Sequence, residues 1–405
     1  MTSNRRVSKR VERGEPLIIN HLKSKYYSWQ SIRWKNAAFV GGSLLLAITA
    51  TPLYVWRFGL DWFQVVLFAF YFAATGLSVT LGYHRLFSHL SFKARWPVKL
   101  VTLLFGAAAF ENSALCWAAD HRRHHKFVDH DDDPYNITKG FWHAHMGWIL
   151  FRDQPETNFD GVKDLERDPL VQWQHRHYNP IAGLMGIGLP ALLGGLWSGW
   201  AGALGGGLIA GVARMVFVQQ MTFFINSMCH TLGRQPYSNR CTARDSALMA
   251  LFTFGEGFHN FHHEFQHDYR NGIKPWHFDP TKWSIWLLSK ARLVADLRRV
   301  PEGEILKTEI AEQQRRLALR LQAKALPYSA SAHQMLQAAH DRFQKALANW
   351  EQQKTAYRLA AEQKMEASRE KVAELRREFQ LAKKHLRNAV REWRQAYRRA
   401  QVQFA

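Results

Sequence analysis

Four stretches of this chain, residues 36–56, 63–83, 181–200 and 206–228, are almost free of charge, and each holds the roughly 20 apolar residues needed to cross a bilayer as a helix. No other feature constrains the fold as strongly. Lipid offers no water to backbone N–H and C=O groups, so a spanning segment must satisfy them internally, and apolar runs without alternation do so as helices. A fifth apolar run, 98–117, is long enough to cross but carries Glu111 and Asn112. Histidine clusters lie just before and just after it. A crossing there would put the clusters on opposite sides, so the run is read as a helix along the interface or inside a cytoplasmic cap. The last two runs then form a hairpin that returns the chain to the same side. The expected architecture is all-α and membrane-integral: four transmembrane helices under a cytoplasmic helical cap.

Charge agrees with that topology. Lys and Arg number 54 against 33 Asp and Glu, a formal net charge of +21, which suits an anionic partner. The long uncharged stretches exclude a soluble nucleic-acid binder. The N-terminal arm 1–35, with Arg5, Arg6, Lys9, Arg10 and Arg13, the segment 84–179 and everything after His230 are basic, whereas the two external loops, 57–61 and 198–204, are not. The positive-inside rule places both termini and all the histidine clusters in the cytoplasm. The 16 tryptophans suit a membrane–water interface. Cys116, Cys229 and Cys241 make no disulfide framework. Arg5-Arg6 starts no signal peptide, because the next apolar run is too distant and too long.

A membrane domain, 36–300, is followed by a basic extension, 301–405, rich in strong helix formers. Apart from a break at Leu326-Pro327-Tyr328 it reads as a long helix. Met365, Ser368, Val372, Leu375, Phe379, Ala382, Leu386, Ala389, Trp393 and Ala396 step by three and four, a coiled-coil seam fit for self-association or for packing on the rest. Its last turns crowd Lys383, Lys384, Arg387, Arg391, Arg394, Arg398 and Arg399 around a single Glu392, a surface for anionic lipid or an acidic electron-transfer protein.

The chemistry lies in the histidines. His84-Arg-Leu-Phe-Ser-His89 ends the second span, and its i, i+5 pair requires the helix to end or unwind. His121, His124 and His125, and likewise His259, His262 and His263, are spaced i, i+3, i+4 and share a helix face. Asn226 and His230 sit i, i+4 at the end of the fourth span. Imidazole suits iron, copper, zinc or nickel, and nine such ligands are too many for one ion. The soluble di-iron bundles use Glu and Glu-x-x-His ligands instead, and the boxes are read as having no Glu-x-x-His near them. Two redox-active irons are preferred to zinc because the site adjoins lipid, where oxidation of an unactivated C–H bond is the chemistry at hand. His143, His145, His175, His177, His267 and His277 fit no box and are taken as structural or surface residues. Phe68, Phe72 and Thr75 step down the second span below His84 and are candidates for the end of a substrate tunnel.

The strings HRLFSH, HRRHH and GEGFHNFHH, with NSMCH, HKFVDHDDDPYN and HMGWILFR between them, resemble the membrane acyl-CoA desaturases of the stearoyl-CoA (delta-9) type across about 35–300. The resemblance implies two iron ions held by His84, His89, His121, His124, His125, His230, His259, His262 and His263, with Asn226 acting through a water. It further implies O2 as co-substrate, a fatty acyl-CoA as substrate, and an external electron donor of the ferredoxin/flavoprotein reductase or cytochrome b5 type. Asn112, Trp117, Asp120 and Arg152 match the thioester-side and CoA-side positions. Ala119 and Asp153 stand where animal enzymes carry basic residues that contact the CoA phosphates. The extension lies outside the familiar pattern and lacks the His-Pro-Gly-Gly motif of a fused cytochrome b5, consistent with a bacterial-like enzyme of an inner membrane. Competing readings are a membrane fatty acid or alkane hydroxylase, a desaturase of phospholipid-bound chains, and a non-enzymatic anchor whose histidines store metal.

Overall fold

A computed structural model describes residues 29–152, 157–323, 330–362 and 369–403. The basic arm before residue 29, Asp153, the break at Leu326-Pro327-Tyr328, and Met365 and Ser368 of the seam lie outside the described residues. The chain divides at Val300–Pro301 into two compact units.

Among the described residues of the first unit, three helical segments are long and apolar enough to cross a membrane: α1 (Trp34–Phe58), α2 (Trp62–Ser88) and α5 (Tyr178–His230). The Asp61 carboxylate starts α2 by accepting from Gln64 N at 2.8 Å, while Gln64 Oε1 accepts from Asp61 N at 3.3 Å, a reciprocal cap that satisfies two orphan donors. Gln64 Nε2 also donates to Tyr54 Oη at 2.6 Å, and that hydroxyl donates to Ala201 O at 2.9 Å. One polar chain thus ties α1, α2 and α5 together.

The 53-residue α5 is not straight. Ser198 leaves helical geometry and Gly199 takes φ +65°, a left-handed conformation that costs glycine little. The two arms then run back along each other on glycine. A Cβ at Gly194 would meet Gly202 O at 2.1 Å, and one at Gly206 would meet Pro190 O at 2.2 Å. Close backbone approach of this kind is how helices associate where lipid removes the hydrophobic drive.

The ambiguous fifth run does not continue as one helix. It splits into α3 (Trp96–Ala107) and α4 (Ala114–Phe127). Between them Phe110 and Asn112 take φ +56° and +79°, and Ser113 Oγ accepts from Cys116 N at 3.3 Å to start α4. At 12 residues α3 is about 18 Å long, short of a bilayer core. The turn is clamped from α5: the buried Arg214 guanidinium donates to Ala108 O (2.7 Å), Gly186 O (2.8 Å) and Ala210 O (2.9 Å), and Gln219 Nε2 donates to Ala109 O at 3.0 Å. Past α5, the six-residue α6 (His259–Glu264) carries the third histidine box, and α7 (Pro280–Lys290) follows. A two-residue ladder, Lys93–Ala94 with Val294–Ala295, ties the exit of α2 to the end of the unit.

The second unit corrects the reading of one long helix. Among its described residues it holds three, α8 (Glu302–Ala323), α9 (Ala330–Glu362) and α10 (Arg369–Gln403), around a shared core that includes Ile310, Leu317, Phe343, Leu347, Leu386 and Trp393. The heptad seam from Ala382 onward lies inside that core, not on an exposed strip, because its apolar face finds α8 and α9 first. Trp393 Nε1 donates to Gln313 Oε1 at 2.8 Å, and Arg342–Glu392 and Arg394–Glu309 pair across helices.

The hairpin generates a test. Gly206→Ala forces a methyl into Pro190 O and should destabilise the first unit by about 1–3 kcal/mol, as overpacking does. Gly207→Ala, whose nearest neighbour would be Ala191 Cβ at 3.6 Å, should be neutral. Thermal unfolding of the detergent-solubilised protein compares the two.

Candidate metal centre

The first box is not reached by ending α2. Its final turns, Ser78–Ser88, widen into π-helical geometry, continued by His89 N donating to His84 O at 3.1 Å. Widened turns bring residues five apart over one another, and the His84 and His89 rings come to 4.7 Å between centroids.

The other boxes divide. His121 and His125 of α4, and His262 of α6, join His84 and His89 in one group; His124, His259 and His263 join His230 in another. The spacing of each box suggested one shared face and one site. A helix rotates about 100° per residue, however, so adjacent histidines diverge and the second and third boxes each serve both groups. Within a group all ligand atoms lie within 4.8 Å of one another. His84–His262, His89–His121 and His125–His262 place their Nε2 atoms 3.0, 2.8 and 2.9 Å apart. In the second group the separations are 3.3 Å for His124–His263 and 3.1 Å for both His259–His263 and His230–His259. Around a cation with metal–nitrogen bonds of about 2.1 Å, ligands at right angles lie about 3.0 Å apart. The donor sets therefore fit two metal ions. Imidazoles alone do not explain the convergence, since each neutral ring has only one N–H to offer another.

Burial keeps the rings available as ligands. It holds His89, His121, His125, His259, His262 and His263 well below the usual imidazole range, with neighbouring histidines adding to the effect. They are neutral at pH 7, with a lone pair to donate. Carboxylates then select the nitrogen. Asp133 Oδ1 lies 2.8 Å from His124 Nδ1, and Glu256 Oε2 lies 2.8 Å from His84 Nδ1. A proton fixed on Nδ1 turns Nε2 toward the metal. His230 Nδ1 meets Thr242 Oγ1 at 2.8 Å, and that hydroxyl donates to Asp129 Oδ1 at 2.7 Å. His267 Nδ1 donates to the His89 carbonyl at 2.9 Å.

Glu256 is itself locked in place. Arg85, 1% exposed, donates to Glu256 Oε1 at 2.8 Å and to Asp279 Oδ1 at 3.0 Å, and Asn271 Nδ2 donates to Glu256 Oε2 at 2.6 Å. The sequence reading passed over Asp129, Asp133, Thr242, Arg85 and Glu256. Two signals were available: the Asp131-Asp132-Asp133 run, and Glu256 standing three residues before His259. That second spacing is a Glu-x-x-His after all, but its carboxylate faces His84 and Arg85, not a metal group.

A cavity of about 590 Å³ adjoins both groups, lined by His84 and His121 from one and His259 from the other. Among the sequence candidates Asn112, Trp117, Asp120, Phe72 and Asn226 line it. Phe68, Thr75 and Arg152 do not. Phe68 stacks behind Phe72, with 6.3 Å between centroids, Thr75 is buried, and Arg152 is exposed with its backbone N bonded to Ser31 O. Phe254, Gly76 and Val218 complete the apolar wall beside Phe72. Trp117 stacks on His121 at 4.8 Å. Burial pushes the Asp120 carboxyl up to about 6. Among the histidines outside the boxes, His143 and His145 are buried, the latter against Ser227 and Gln220, while His177 is exposed.

A family model, "Fatty acid desaturase", matches residues 60–286. The chain is 41% identical over 310 residues to a "Probable acyl-CoA desaturase" of Schizosaccharomyces pombe, covering 74% of this chain and 63% of that protein. It is 39% identical over 295 residues to "Acyl-CoA desaturase 1" of Saccharomyces cerevisiae, covering 71% and 56%. With the "Stearoyl-CoA desaturase" of Homo sapiens it shares 34% over 288 residues, covering 69% and 77%. The chain thus spans less than two thirds of the two yeast relatives.

Removing one carboxylate tests how the metal groups are held. Asp133→Asn should weaken metal binding in the four-histidine group about 10–100-fold and leave the protein folded. His124→Ala should lower bound metal outright, and the exposed His177→Ala should not. Elemental analysis after dialysis against graded chelator measures all three.

Proposed function

The chain belongs to the fatty acid desaturase family, and on that premise we propose that it inserts a cis double bond, at the delta-9 position, into a saturated fatty acyl-CoA. One observation carries the reading: imidazoles converge in groups of five and four, and both groups abut one apolar-walled cavity. The metal of choice is iron, as a pair. Copper, zinc and nickel also accept imidazole, but an unactivated C–H bond yields only to redox chemistry, and bound iron supplies the activation of O2 that no side chain can. The atoms balance when two hydrogens leave the acyl chain, an external carrier supplies two electrons, two protons enter, and O2 becomes two waters. The carrier is of the ferredoxin/flavoprotein reductase or cytochrome b5 type.

The chain's own residues position the substrate. Phe72, Gly76, Val218 and Phe254 wall the cavity against water and hold the apolar chain. Asn112 and Trp117 lie near the thioester, with Asp120 and Arg33 toward the headgroup, where the exposed Arg152 meets CoA phosphate. Asn226, which lines the cavity as His259 does, serves the four-imidazole group through a water. Each arm of the α5 hairpin counts as one span, giving four. The basic arms and loops favour a cytoplasmic site with both termini on that side.

Expression in a host unable to make unsaturated fatty acids should restore growth, and gas chromatography should find a cis olefin. An alcohol would mark a hydroxylase, and no product would sink the proposal. Labelled stearoyl-CoA and labelled phospholipid, offered separately to the purified protein and an electron donor, identify the headgroup. Phe72→Ala should enlarge the cavity end and shift products toward longer chains. An unchanged chain-length profile would place the tunnel's end elsewhere.

A further inference from the structure

Glu111 sits in the turn between α3 and α4 and lines the cavity. The other charged groups on that wall are compensated: Arg85 holds Glu256, and Arg33 and Arg123 act on Asp120. Among the described residues no cation acts on Glu111; its surroundings are Trp117 and Thr222, with Tyr83, Tyr135 and Tyr178 as the titratable groups facing it. Phenols are neutral at pH 7 and offset no charge.

The hydrogen bonds point the same way. Trp117 Nε1 donates to Glu111 Oε2 at 3.4 Å, a long contact. The Thr222 hydroxyl gives its proton to Val218 O at 3.1 Å. Among the described residues nothing donates to Glu111 Oε1, a buried atom. A carboxylate accepts only and carries a charge that needs compensation, whereas a carboxylic acid carries none. An anion here would have the Thr222 hydroxyl and the long Trp117 contact beside it but, among the described residues, no cation, in an apolar wall, a costly arrangement. Burial accordingly pushes the Glu111 carboxyl up to about 8.

We propose that Glu111 enters the cavity wall as a neutral carboxylic acid and gates chain binding: protonated, it lets an apolar acyl chain fill the cavity, and ionised, it shuts the chain out. The proposal rests on the acyl-chain reading of the cavity. The sign follows from the raised value. The neutral form dominates below about pH 8, so affinity is present there and is lost as pH rises through it. If only the neutral form binds, the dissociation constant climbs about tenfold per pH unit above that point.

The full-length protein in nanodiscs, left unreduced so that no turnover occurs, is titrated with radiolabelled stearoyl-CoA between pH 7 and 9. The wild type should weaken about tenfold, whereas Glu111→Gln and Glu111→Met should give flat profiles at unchanged metal content. Infrared difference spectra should show a protonated-carboxyl C=O band in the wild type that titrates away near pH 8 and is absent from Glu111→Gln. Equal pH slopes in wild type and variants, or no such band at pH 7, overturns the proposal. Stearoyl-CoA that binds at no pH would overturn the acyl-CoA reading instead, and the infrared titration would still decide the state of Glu111.

Discussion

Arg85 stands between Glu256 and Asp279, and the convergence of the histidines depends on that buried cluster. The guanidinium belongs to the first box, one residue after His84. Glu256 belongs to the approach to the third box, and Asp279 Oδ1 accepts from Lys282 N at 2.9 Å to start α7. Arg85 also donates to Tyr269 O at 2.8 Å. One planar cation therefore fixes three segments that are far apart in sequence. Removing one partner of such a group leaves an unpaired buried charge, at a cost of about 3–5 kcal/mol. Glu256 has a second task, since its other oxygen faces His84 Nδ1. Charge compensation and ligand orientation are thus the same contact.

The lipid environment sets the second constraint. Buried as it is, the turn at Ala108–Phe110 would leave carbonyls unsatisfied, and Arg214 and Gln219 supply the donors. A buried cation whose guanidinium donates to three carbonyls is an unusual use of arginine, yet its planar fork suits several fixed acceptors at once. The clamp bends the fifth apolar run back, and α4 leaves the turn carrying the second box toward the first.

Much of this was legible in the sequence. The apolar runs and all nine imidazoles could be read from hydropathy and spacing, because those signals are local, whereas the fifth run, read as one helix, splits before and after Glu111-Asn112. The partition into five and four was not, since i, i+3, i+4 describes one helix and says nothing of where the partner rings stand. The π-helical widening at Ser78–Ser88 was also hidden: it follows from packing, and α2 reads as an ordinary apolar helix. Asp133 and Glu256 were missed for a related reason. They act across sequence separations of 9 and 172 residues on His124 and His84, and acidic residues near histidines are common. In the extension the seam was found but its partner was not, because a heptad face pairs equally well with another copy or with the preceding helices of its own chain.

The division of ligands has a structural consequence of its own. α4 gives His121 and His125 to one group and His124 to the other; α6 gives His262 to one and His259 with His263 to the other. Two helices therefore bridge both groups, and the distance between the groups is set by the angular step between neighbouring residues on a rigid helix. A hinge in a loop could not change it. Only His84 and His89 from α2 and His230 from α5 serve a single group, and each of those arrives from a segment anchored in the apolar part of the molecule. The bridging helices fix the spacing, and the anchored segments fix its position against the cavity. That separation of tasks explains why the boxes must combine different spacings: i, i+3, i+4 on the bridging helices, and i, i+5 only where a widened helix delivers both of its rings to the same group.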